Sequence, residues 1–191
     1  VLAKTPEALE HLKQQFKNRR VKKEYLALVF GIPNADDGRI NQPLARSPRN
    51  PMRRTISPEG KPAITEWRRE QRVANKYALL RVFPLTGRTH QIRVHLHFIG
   101  HPIVGDPLYT FKRQSLPAGA SAKAGQLLHA AKLTLTLPSG KRKTFTAPLP
   151  SDFLEQIENL TNKEQVGDGV HRSFPEVNPL RDPRDHKQER H

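Results

Sequence analysis

The chain has 191 residues, a length suited to one domain, and its 35% hydrophobic content is enough for a single core. It contains no cysteine, which excludes disulfides and thiolate metal sites and fits a reducing cytoplasm, and no apolar run approaches the ~20 residues that cross a bilayer. The formal charge is +15; six basic and six acidic residues balance over 163–191, so the whole excess belongs to residues 1–162 and gives them a field that attracts polyanions.

In chain order, Val1 to Lys4 reads as the tail of a strand. Residues 6–19 follow as an amphipathic helix capped by Thr5, with Leu9, Leu12 and Phe16 on one side and Arg19 and Arg20 at its negative end. Val21 to Phe30 alternates as a strand and stops at Gly31 and Pro33. Asp36-Asp37-Gly38, Pro43, Pro48, Asn50-Pro51 and Ser57-Pro58 then predict a flexible loop without regular structure, carrying Arg46, Arg49, Arg53 and Arg54. Ala63 to Arg72 and Lys76 to Phe83 form a hairpin around Asn75. A short helix comes next, with Thr89 as N-cap, Ile92, Leu96 and Ile99 on its apolar stripe, and Gly100 and Pro102 as its stop. Pro117 to Gly125 is a loop of small residues, Leu128 to Leu137 pairs with Lys141 to Ala147 through Pro138-Ser139-Gly140, and Asp152 starts a last helix through Phe153, Leu154 and Ile157. Beyond about Leu160 periodicity is lost, so residues 161–191 are expected to be a disordered charged tail behind a domain of residues 1–160. Strands joined mainly by hairpins outnumber helices, which gives an α+β domain on a largely antiparallel sheet.

The segment Leu85 to Tyr109 concentrates the chemistry. Arg93 lies in the first turn of the short helix and Arg88 just before it, where the positive end of the helix dipole disfavours a cation. Such a residue serves a partner, and that partner is an anion: a protein carboxylate or a phosphate. His90, His95, His97 and His101 invite a metal, but Gly100 ends the helix between the only i, i+4 pair and no glutamate lies in the segment, so no metal is expected. Asp106, in a Gly-Asp-Pro turn, reads as a structural Asx residue.

Gly87 to Leu96 (GRTHQIRVHL) and Gly100 to Tyr109 (GHPIVGDPLY) together resemble the third motif of the RluA-type pseudouridine synthases, which isomerise uridine in RNA. Lys23-Glu24-Tyr25-Leu26-Ala27-Leu28-Val29 is similar to the family strand bearing an active-site tyrosine, and Gly60-Lys61-Pro62-Ala63 to its connector. His129-Ala130 and Ala147-Pro148-Leu149-Pro150 are similar to its closing segment. The likeness covers roughly residues 1 to 160 in the family's order. Leu85 replaces a residue often acidic in the family, and His97-Phe98 replaces a small residue followed by histidine. The HRLDxxTSG motif that bears the family's catalytic aspartate is absent, which suggests a catalytic domain cut before that motif and a chain inactive on its own.

The resemblance implies the pseudouridine synthase fold, a mainly antiparallel mixed sheet with flanking helices, and a monomeric cytoplasmic enzyme that needs no cofactor and acts on ribosomal or transfer RNA. Tyr25 would stack on an extruded base with its hydroxyl near C5, and Arg93 would be the guanidinium opposite the catalytic aspartate. Arg88, His90, Lys22, Lys23, Arg46, Arg49, Arg53 and Arg54 are the candidates for gripping RNA. From the residues alone, Tyr25 reads first as a core aromatic with its hydroxyl at the rim, and the family match reverses that; the other reading of Arg93 is a contact to RNA phosphate or a structural carboxylate. A non-catalytic RNA-binding module of the same fold is the alternative.

Overall fold

The computed structural model describes residues 1–111 and 125–168. Helix α1 (Pro6–Lys17) precedes strand β1 (Lys22–Phe30), followed by β2 (Asp37–Asn41), β3 (Leu44–Arg46), β4 (Arg54–Ile56), β5 (Ile64–Val73) and β6 (Tyr77–Pro84). Helix α2 (Gln91–Phe98), β7 (Leu128–Thr136), β8 (Arg142–Thr146) and α3 (Ser151–Asp168) complete the order. Six strands form one sheet in the order β2-β5-β6-β1-β7-β8, and every pairing in it is antiparallel, so the sheet is not mixed.

Central strand β1 is buried on both faces, which is why Leu26-Ala27-Leu28-Val29-Phe30 is continuously apolar. Leu26, Leu28 and Phe30 face α3, where they pack with Leu79, Phe153, Ile157 and Leu160. Ala27 and Val29 face the other way, with Leu80, Val82 and Trp67, and meet Ile92 and Leu96 of α2. Tyr25 has the same parity as Ala27, so α2 and Tyr25 share one side of the sheet.

Several expectations are corrected. The region expected to be a structureless loop contains β2, which adds to the sheet edge beside β5, and the separate β3–β4 hairpin. Its prolines fall between these short strands and leave their ladders intact. Val1 to Lys4 forms no strand. Helix α1 keeps its Thr5 cap but ends at Lys17; Leu9 and Phe16 of its supposed core stripe are exposed, and Gln15 is buried in their place. The Gln15 amide donates to Thr136 O and accepts from Thr136 N, both at 2.7 Å, so a side chain continues the β7 ladder where a backbone would. Helix α3 runs to Asp168, past the boundary expected near Leu160, and buries Phe153 and Ile157 but leaves Leu154 exposed. Residues 117–124 of the expected small-residue loop, and 169–191 of the expected tail, lie outside the described residues.

Candidate active site

An open cleft of about 540 Å³ lies between the N-terminus of α2 and the start of β1. Its walls carry Lys23, Tyr25, Arg88, His90 and Arg93, five of the residues singled out in the sequence, together with Phe16 and Gln126. Among the described residues that line it there is no aspartate or glutamate.

Arg93 is held from behind. Its Nε and Nη2 donate to Asp106 Oδ2 and Oδ1, each at 2.7 Å, with 9% of the Arg93 side chain and none of Asp106 exposed. Two parallel N–H···O bonds fix the guanidinium plane and leave the Nη1 group without a bond to Asp106. Burial by itself would raise the Asp106 pKa, but the Arg93 bonds and the N–H groups of Leu108 and Tyr109 hold it below the usual carboxylate range. Asp106 Oδ1 accepts those two N–H groups at 2.8 and 3.0 Å, the Asx turn expected of it. The anionic partner of Arg93 is therefore a protein carboxylate.

That turn delivers Tyr109, which the sequence reading did not single out. Its ring lies under the Arg93 guanidinium at 5.0 Å, and its hydroxyl accepts the Arg54 N–H at 2.7 Å and meets His90 Nδ1 at 3.0 Å. With the Tyr109 oxygen already accepting from Arg54, its own proton is best spent on His90 Nδ1. His90 is then a neutral ring with its proton on Nε2. Burial, then the charges of Arg93 and Arg54, push the His90 pKa down in agreement. His90, not Thr89, is the N-cap of α2; it adopts a left-handed backbone (φ 57°, ψ 18°) and gives no side-chain cap. A residue with a β-carbon adopts that region only where its surroundings impose it.

Gln91 folds back over the turn that precedes α2. Gln91 Oε1 accepts the Arg88 N–H at 3.0 Å and the Thr86 hydroxyl at 2.7 Å. Its amide donates to Ile64 O and Thr65 Oγ1, at 2.9 and 3.0 Å. Thr65 Oγ1 reaches His95 Nδ1 at 2.8 Å, and His95 Nε2 reaches Gln42 O at 3.0 Å. A continuous chain of bonds thus runs from the core to the turn that presents Arg88. Lys23 Nζ donates to Thr86 O on the same turn at 3.1 Å, and burial lowers its pKa. Burial likewise raises the pKa of Tyr25, which keeps it a neutral phenol.

The four histidines have separate duties. His95 is in the chain just described and His90 is on Tyr109. His101 Nδ1 is bonded to Phe30 O, and His97 stacks near Phe111 with ring centroids 4.6 Å apart.

The remaining basic candidates divide. Arg46 and Arg54 line a second hollow that adjoins the cleft through Gly87 and Arg88. Arg49 and Arg53 lie on the turn between β3 and β4, with the Arg53 guanidinium 5.9 Å from the centre of the Tyr109 ring. Lys22 is outside both hollows, paired in register with Thr134 of β7.

The family model for RNA pseudouridylate synthases matches residues 1–98. An uncharacterised RNA pseudouridine synthase of Chloroflexus aurantiacus is 43% identical over 164 residues, 85% of this chain and 50% of that protein. The ribosomal large subunit pseudouridine synthase D of Haemophilus ducreyi is 41% identical over 174 residues, 86% of this chain and 53% of that one. The chain thus spans about half the length of these relatives. Among solved structures, human RNA pseudouridylate synthase domain containing 1 superposes with a TM-score of 0.65 at 27% identity, covering 78% of this chain and 62% of its own. A family model over half the chain, and relatives above 40% identity over most of it, make this chain a member of the RNA pseudouridylate synthase family, of the RluA type.

Proposed function

We propose that this chain forms the base-holding and arginine-bearing part of an enzyme that isomerises specific uridines in ribosomal or transfer RNA. The observation that carries this reading is the meeting of Tyr25 and Arg93 in one cleft large enough for a nucleotide, rimmed by Lys23, Arg88 and His90. Isomerisation breaks the bond from uracil N1 to ribose C1′, turns the base and rejoins it through C5. A uridine reaches such a cleft only by leaving its stack, and a cationic surface offsets part of that cost by holding the backbone. Tyr25, a neutral phenol, stacks on the uracil with its hydroxyl beside C5, the carbon that must lose a proton before the product forms. Arg93, its plane set by Asp106, turns its Nη1 edge to the carboxylate that attacks or stabilises the sugar, keeping that carboxylate ionised. RNA is gripped by Arg88, His90, Lys23 and the basic residues Lys22, Arg46, Arg49, Arg53 and Arg54.

Asp106 lies behind Arg93 and is committed to it, and the cleft walls offer no acid among the described residues. The 191-residue chain therefore binds RNA without turning it over. The test is release of tritium from RNA carrying [5-³H]uridine. The chain alone is expected to release none, and the same sequence within a protein that carries an HRLD-type aspartate is expected to release it in a Tyr25- and Arg93-dependent way. Turnover by the chain alone would overturn the assignment of the missing acid. An HRLD-bearing protein that binds RNA tightly but never releases tritium would leave a binding module of the same fold.

A further inference from the structure

Beside the cleft lies a second hollow of about 500 Å³, floored by β3 and by residues 59–61 and walled by the Gly87–Thr89 turn. Arg46, Arg54, Lys61 and Arg88 line it against a single carboxylate, Glu59. Several cations on the sheet are neutralised: Arg39 by Glu66, Arg68 by Glu70, Arg81 by Glu24 and Glu70, Lys132 by Glu24. These four are not. Arg88 Nε donates to Pro62 O and Arg54 Nη1 to Pro51 O and Arg53 O, all neutral carbonyls. The exposed side chains of Arg46 and Lys61 have no ion pair among the described residues.

The floor is rigid. Leu44 and Lys61 exchange both backbone hydrogen bonds at 2.9 Å, and a β-carbon on Gly60 would stand 2.5 Å from Leu44 C, so only glycine lets the two segments close. A fixed floor with four unneutralised cations around it is organised for an anion before the anion arrives.

Resting on the reading of the cleft as a uridine site, we propose that this hollow is a phosphodiester subsite. It takes the backbone phosphate next to the extruded uridine, with Lys61 and Arg46 as its principal contacts and Arg88 shared with the cleft. The Gly87–Arg88 turn is common to both hollows, so a strand with one base in the cleft crosses that turn as it leaves, and its next phosphate falls between Arg88, Arg46 and Lys61. Phosphate is required where direction and charge matter more than sequence, and unpaired arginine and lysine meet that need.

The test is fluorescence anisotropy of a 12-nucleotide single-stranded RNA with one uridine, titrated with the 191-residue chain between 50 and 200 mM salt. Lys61→Ala and Arg46→Ala are each expected to weaken binding about fivefold at low salt and to flatten the salt slope by about 0.7 per charge removed. Lys61→Arg should restore both. Arg142→Ala, on exposed β8, is the control, and equal thermal midpoints exclude misfolding. A neutral methylphosphonate linkage on one side of the uridine should weaken the parent chain as much as Lys61→Ala does and add nothing to that variant. Unchanged slopes for Lys61→Ala and Arg46→Ala with RNA binding intact would overturn the subsite and leave the uridine reading standing. A chain that binds no RNA at any salt would overturn both.

Discussion

Replacing Asp106 with Asn tests the central claim about Arg93, that a buried carboxylate holds its guanidinium in place. The substitution keeps the size of the side chain and an acceptor for the Leu108 and Tyr109 N–H groups, but removes the charge and turns the oxygen facing Arg93 Nε into an amide donor. Arg93 would then remain 9% exposed with no anion beside it. Breaking a buried pair from one side costs about 3–5 kcal/mol, because the surviving charge is left desolvated. That is a large part of the 5–15 kcal/mol typical of a domain. Urea unfolding followed at the single tryptophan, Trp67, which is packed on the α2 face of the sheet, reads it directly. The double replacement Arg93→Met with Asp106→Asn, which removes both charges and keeps the turn's acceptor, should recover most of the loss. The sign with pH is also fixed: the Asp106 pKa is depressed in the folded state, so its contribution is present above the unfolded value near 3.9 and lost as pH falls through the folded one. The gap between parent and Asp106→Asn should therefore narrow only in strong acid. A loss below about 1 kcal/mol at pH 7, the range of an exposed pair, would refute the argument.

His95 is buried with both ring nitrogens engaged, and burial lowers its pKa although the bond to Gln42 O opposes this. Unfolding below the free value of about 6.5 therefore takes up a proton, and stability should fall as the pH drops below it, by up to about 1.4 kcal/mol per pH unit until the folded-state value is reached; a urea midpoint that stays flat as the pH drops below about 6.5 would contradict the assignment. Tyr109→Phe removes the hydroxyl that accepts from Arg54 and meets His90, at an expected cost of about 1–2 kcal/mol in urea. In the long-range ¹H–¹⁵N spectrum of that variant, the His90 ring should no longer show a single tautomer. Gly105 has φ 76° and a β-carbon there would lie 2.0 Å from Gly125 O. Gly105→Ala should thus cost more than the ~1 kcal/mol of a left-handed alanine alone, and a neutral thermal midpoint would show that the two glycines separate freely.

What could be read from the chain was whatever one segment says about itself. Gly100 and Pro102 stop α2 where expected, the β5–β6 and β7–β8 hairpins sit on their turn residues, and the Asx turn of Asp106 follows from its immediate neighbours. The failures came where a distant group took over a local role. Thr89 carries a sound N-cap signal, yet the helix starts one residue later, after a left-handed His90, on a turn that Gln91 pins to the sheet through Thr65, 26 residues upstream. Leu9 and Phe16 carried the apolar stripe of α1, yet the helix docks through Gln15 on Thr136, a contact across 121 residues that no periodicity encodes. Arg93 shows both sides at once. Its position against the helix dipole announces an anionic partner, and that partner is 13 residues away in the same motif, an aspartate whose neighbours reveal only its part in the turn. The two readings of Asp106 and Arg93 were in fact one: an aspartate that builds a turn also aims a guanidinium, so the rigidity of the GDPLY turn and the geometry of the cleft are a single property of the fold. A change that loosens the turn should then disturb the cleft and the core cluster around Tyr109 together, since Asp106 holds Arg93 on one side and the Tyr109 N–H on the other.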